Sequence, residues 1–150
     1  MKTLIVLLAV SLMSVTASSQ NSESILNQYL KVKDALIKSD NKVANEHTVS
    51  LQKAIETTDF FKEKERLLKA VQKMVKVTDL EKQRVAFADV SITMWQMVKN
   101  NSEIKEAVYY QYCPMKKMYW LSKEEAIKNP YYGSKMLTCG KVSDKKNEVR

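Results

Sequence analysis

The stretch from Ser22 to Asn100 contains neither glycine nor proline. Those two residues most readily break a helix, one by backbone freedom and the other by a missing N–H and a ring clash. Apolar side chains recur through the stretch at helical spacing. Ile25, Leu26, Tyr29, Leu30, Ala35 and Leu36 share one face of a first segment. Lys38–Asn41 interrupts it, with Asp40 or Asn41 placed to cap a second helix presenting Val43, Ala44, His47, Leu51, Ala54 and Ile55. Glu56–Asp59 separates that helix from a third carrying Phe61, Leu67, Leu68, Val71, Met74 and Val75. Thr78 and Glu81 have the spacing of a capping box for a fourth, lined by Leu80, Phe87, Val90, Met94 and Val98. Four amphipathic helices on short polar connections predict an all-α fold, an antiparallel up-down four-helix bundle over residues 20–103.

The residues before it have the pattern of an export signal. Lys2 precedes an apolar run from Thr3 to Val15, followed by small residues suited to cleavage after Ala17 or Ser19. The run is shorter than the roughly 20 residues that span a bilayer. Residues 1–19 therefore read as a cleaved signal peptide, and the chain as periplasmic or secreted. No cysteine near the cleavage region marks a lipid anchor. No other segment is apolar enough for a transmembrane span. The formal charge is +8, but the lysines are spread along the whole chain, which argues against a nucleic-acid surface.

Both cysteines, both prolines and both glycines fall between Tyr110 and Lys141, with Met115, Met118, Met136 and Trp120. Residues 104–142 thus read as an irregular cap on the bundle, and 143–150 as a flexible solvated tail. Ala107–Tyr112 fits a short strand or the extended lead into a loop. Ser122 and Glu125 fit the start of a short helix ended by Asn129-Pro130. Pro114 holds Cys113 extended, which puts Cys113 and Met115 on one side. Met136 and Cys139 meet across a helical turn, and Met118 adds a fifth sulfur. Thiolate and thioether donors select soft ions such as Cu(I) and Ag(I). Two plainer readings stand beside this one. The methionines and aromatics could be ordinary packing. In an oxidising compartment Cys113 and Cys139 could form one disulfide, contributing about 3–4 kcal/mol by loop closure. His47, the lone histidine, sits on an apolar helix face and fits a satisfied boundary residue better than a ligand. No nucleotide-cradling loop, G-x-S-x-G, H-E-x-x-H or C-x-x-C is present, so no enzymatic activity is expected.

The run Tyr112–Met115 (YCPM), Trp120–Ser122 (WLS), Ile127–Gly133 (IKNPYYG) and Met136–Gly140 (MLTCG) resembles the signature of an uncharacterised bacterial domain family. Tyr29–Asp40 and Gln83–Ser91 resemble its helical half. Members of that family are exported, alone or fused to CusB-type membrane-fusion subunits of copper/silver efflux pumps. The matching positions here are Cys113, Pro114, Met115, Trp120, Asn129, Pro130, Gly133, Met136 and Cys139. Relatives carry a longer insert between the CPM and WLS motifs, so Met118 lies outside the shared pattern. The resemblance implies a heavy-metal-associated envelope domain. The expectation is a Cu(I)- or Ag(I)-binding buffer, chaperone or efflux accessory, with Cys113, Met115, Met136, Cys139 and Met118 as ligands. Its implied partner is a heavy-metal efflux membrane-fusion protein or another envelope protein. The alternative is an interaction module stapled by a Cys113–Cys139 disulfide.

Overall fold

The computed structural model describes residues 17–149. The expected signal, residues 1–19, lies outside them except for Ala17–Ser19. Among the described residues there are four α-helices: α1 (Ala17–Ile37), α2 (Asn41–Thr57), α3 (Lys64–Val75) and α4 (Leu80–Asn100). The same residues hold three strands, β1 (Val108–Cys113), β2 (Met118–Ser122) and β3 (Lys141–Lys146), and a 3-10 turn at Gly133–Lys135. The strands form one antiparallel sheet in the order β2-β1-β3. The fold is thus α+β, and the all-α expectation is overturned by this sheet.

Each helix buries the stripe its sequence marks out. Ile25, Leu26, Tyr29 and Leu36 on α1 meet Ala44, Leu51 and Ile55 on α2, Leu67, Val71 and Met74 on α3, and Phe87, Val90, Met94 and Val98 on α4 in one core. Tyr29 and Phe87 stack at its centre, with centroids 4.9 Å apart. Asp40 caps α2 by accepting from the Val43 N–H. The cap of α4 is Asp79, which accepts from Lys82 N–H, rather than the expected Thr78. A side-chain oxygen three residues before an N–H is what an N-cap requires, and Asp79 stands in that position.

Beyond α4 the structure departs from the sequence expectation. Val108–Cys113 and Met118–Ser122 are rich in aromatic residues, which suit a pleated surface. Their pairing runs from Tyr109 opposite Ser122 to Cys113 opposite Met118. Pro114–Lys117 closes the hairpin, with Lys117 at φ 54 in the left-handed region. Lys116 pins that turn down, its ammonium 3.8 Å from Glu81 on α4 and 5.1 Å from the Tyr132 ring. The expected helix after Ser122 is absent from this described stretch; residues 123–132 form bends and turns. Ser143–Lys146, expected in a solvated tail, belongs to β3. That strand pairs with β1 through a bulge at Ser143, and Lys99 on α4 grips its Asp144 at 2.5 Å. The Asp144 carboxyl is held below its usual range by that ammonium and by the Lys145 N–H.

The pleat gives the sheet two distinct faces. Tyr110 and Tyr112 share one face with their partners Leu121 and Tyr119, and Tyr110 stacks on Trp95 of α4 at 4.7 Å. Gln111 and Cys113 share the other with Trp120 and Met118. There Gln111 donates to the carbonyls of Glu124 and Glu125, both at 3.0 Å, drawing residues 123–140 over the sheet.

Candidate functional site: a thiol pair at the end of the central strand

Cys113 is the last residue of β1 and is fully buried. Pro114 ends the strand behind it, having no N–H to continue the ladder. Directly across the hairpin stands Met118, half-buried against the core. Opposed residues of an antiparallel pair project to the same face with Cβ atoms about 5 Å apart. The sulfurs of Cys113 and Met118 therefore share one side of the sheet.

Cys139 reaches the same place from the far end of the covering segment. Gly140 makes the approach possible. A Cβ there would lie 2.8 Å from the Trp120 ring, closer than side chains approach, and 3.0 Å from the Tyr112 carbonyl, which could yield only by moving backbone. Only glycine lets the backbone beside Cys139 rest on the residue that precedes Cys113. The Cys139 carbonyl is held by Asn129, whose Nδ2 donates to it at 2.6 Å. Asn129 Oδ1 accepts from Tyr131 N–H at 2.8 Å, and its backbone N–H donates to the Leu137 carbonyl at 2.7 Å. One fully buried asparagine thus closes the Asn129–Cys139 loop.

The loop is in turn locked to the helices by Arg84, buried on α4. Its Nε donates to the Pro130 carbonyl (2.9 Å), and its Nη2 to the Leu36 carbonyl (3.1 Å) and Ser39 hydroxyl (3.0 Å). Gly133, at φ 57, fits against this junction, where a Cβ would fall 2.8 Å from the Ile37 carbonyl and 2.9 Å from Arg84 Nη2. Tyr29 secures β2 from below, its hydroxyl accepting from Leu121 N–H and sharing a 2.7 Å bond with Ser91. The sequence reading missed Arg84 and Gly140 as positioning residues. The available signal for Arg84 was its phase: it lies four residues after Leu80 and three before Phe87, an arginine in line with a core stripe.

The two thiols are free, and the close approach of Gly140 to the Tyr112 carbonyl brings Cys139 near Cys113. The expected disulfide is therefore corrected to a pair of unbonded thiols. Burial raises the Cys139 thiol above its ordinary pKa, and the adjacent Cys113 raises it further by disfavouring a second negative charge and by hydrogen bonding. At neutral pH Cys139 stays protonated.

Of the five expected sulfur ligands, the fold thus joins Cys113 to Cys139 and sets Met118 opposite Cys113. Met115, on the hairpin turn, is 65% exposed, and Met136, just past the 3-10 turn, is 39% exposed. Among the described residues no group of three or more His, Cys, Asp and Glu converges, and half-buried His47 on α2 joins none. A cleft of about 520 Å³ lies elsewhere, where Ser22, Phe60 and Phe61 meet Asn101 and Glu103. Among the described residues no helix is long and apolar enough to cross a membrane.

These features define a small α+β domain whose sheet and covering loop bring two free thiols together. The chain belongs to the family described as protein of unknown function (DUF3347), whose profile matches residues 25–106. The match spans most of the helical layer and ends just before β1, so the thiol pair lies beyond it. No curated protein and no solved structure matches the chain.

Proposed function

We propose that the protein binds a soft monovalent ion, Cu(I) or Ag(I), in the cell envelope and serves as a buffer, chaperone or efflux accessory. The observation that carries this reading is the gathering of two free thiols, Cys113 at the end of β1 and Cys139 on the backbone that Gly140 lets rest against Tyr112, with the Met118 thioether across the hairpin from Cys113. Two thiolates and a thioether suit an ion of low charge and high polarisability; three donors fall short of the four a closed Zn site takes, and the hard cations want oxygen. The cation also supplies what the pair lacks, a positive charge that lets both thiols ionise; binding should therefore release protons and tighten as pH rises. The resemblance of the motifs between Tyr112 and Gly140 to those of exported, efflux-associated domains is what favours an envelope location and a membrane-fusion protein as partner.

The test is an anaerobic titration of the reduced protein with Cu(I) against a competing chelator, beside Cys113→Ser, Cys139→Ser and Met118→Leu. Stoichiometric binding that either serine variant abolishes and Met118→Leu weakens is the expected result. Binding no stronger than that of both serine variants would end the metal reading.

A further inference from the structure

The five sulfurs are graded by exposure. Cys113 is fully buried at the strand end, and Met118 is half-buried beside it. Cys139 is also half-buried, at the end of Ser134–Thr138, every residue of which is exposed. Met136 stands in that exposed segment, tied to Cys139 by a turn in which the Cys139 N–H donates to the Met136 carbonyl at 3.1 Å. Met115 projects from the hairpin turn two residues after Cys113, and is the more exposed of the two methionines. Each thiol thus has one exposed thioether close along the chain, Met115 two residues after Cys113 and Met136 three before Cys139.

We propose that Met115 and Met136 are exchange ligands, through which the ion reaches and leaves the Cys113–Cys139 pair, and not ligands of the resting site. This rests on the soft-metal reading above and adds a route to it. An incoming ion meets a thioether first because that donor is neutral, exposed and has no proton to lose. Cys139 is half-buried and Cys113 is beneath the surface, so the exposed thioethers are reached before either thiol. In the next step a bond from Cys139 sulfur to the ion forms, the thioether bond breaks, and the Cys139 proton passes to water. Cys113 then repeats this, giving one M⁺ held by two thiolates with two protons released and no electron transferred. Departure to a recipient runs the same exchanges backwards, each thiolate regaining a proton. Met118, set against Cys113 inside the fold, stabilises the bound ion.

Rates and affinities separate these roles. Stopped-flow transfer of Ag(I) between the protein and a chelator is compared with equilibrium competition for wild type, Met115→Leu/Met136→Leu and Met118→Leu. The double variant should keep its affinity within about twofold while exchange slows at least about tenfold; Met118→Leu should lose about tenfold in affinity, roughly one good interaction at 1.4 kcal/mol per decade. Circular dichroism checks that each variant folds. An affinity loss in the double variant equal to that of Met118→Leu would make the exposed methionines resident ligands and overturn the proposal. So would an unchanged exchange rate. A wild-type protein that takes up no Ag(I) would instead remove the metal reading and this route together.

Discussion

Asn129→Ala isolates the residue on which the closed loop depends. The side chain is fully buried and makes two bonds, to the Cys139 carbonyl (2.6 Å) and from the Tyr131 N–H (2.8 Å). Leaving a buried polar group unpaired costs about 1–3 kcal/mol. Tyr131 is itself buried, so its N–H finds no water and incurs the full loss. Cys139 is half-buried, and its carbonyl regains part of its hydration. The expected destabilisation is therefore about 2–4 kcal/mol, a large share of the 5–15 kcal/mol typical of a domain. Asn129→Asp sharpens the test. Its carboxyl can still accept from Tyr131 N–H, but only the protonated form can donate to the Cys139 carbonyl. Burial raises its folded pKa above the unfolded value near 3.9, so its contribution is present in acid and is lost as pH rises through the folded pKa. Urea unfolding followed by tryptophan fluorescence at several pH values measures both. A loss under about 0.5 kcal/mol for the alanine variant, the range of ordinary surface changes, would refute the reasoning. So would an aspartate variant whose stability relative to wild type is flat with pH.

Arg84→Met should cost about 1–3 kcal/mol, chiefly by stranding the Pro130 carbonyl, since the Leu36 carbonyl keeps the Ser39 N–H, whereas Glu81→Ala, which removes an exposed partner of Arg84 and Lys116, should cost under about 1 kcal/mol. Equal losses in denaturant unfolding would mean that the ion pair, and not the carbonyl bonds, is what Arg84 contributes. Alkylation of Cys139 should show a midpoint above the ordinary thiol value of about 8.5, lowered but not normalised by Cys113→Ser, because burial is the first cause and Cys113 the second. A raised folded pKa means this thiol favours the folded state below the unfolded value, and that contribution fades as pH rises through the folded one. An ordinary midpoint in mass-resolved alkylation would contradict the thiol contact.

What was legible in the sequence was local. The four helical stripes, the polar breaks between them and the Asp40 cap are all written within a few turns of chain, where apolar period and capping chemistry act. The concentration of sulfur, proline and glycine between Tyr110 and Lys141 likewise pointed to the stretch that carries the thiol pair. The sheet was not legible in this way. β3 is a lysine-rich edge strand with no alternating apolar face, so nothing in Lys141–Lys146 distinguishes it from a tail until β1 supplies the ladder. β2 is recognisable only once the Pro114–Lys117 turn folds it back.

Which sulfurs meet was decided by that pairing and not by spacing. Counting along the chain put Met115 with Cys113 and Met136 with Cys139, leaving Met118 as an outlier. The hairpin register put Met118 opposite Cys113, while Met115 on the hairpin turn and Met136 past the 3-10 turn stand outward. Arg84 and Gly140 show the same division: each acts on groups remote in the chain, a carbonyl at Leu36 or a ring at Trp120. By itself the sequence determined the helices and the donor atoms, because propensity and side-chain chemistry are properties of short segments. Only the tertiary structure decided the sheet and the neighbours of each thiol, because those depend on backbone pairing and close approach between segments that share no local signal.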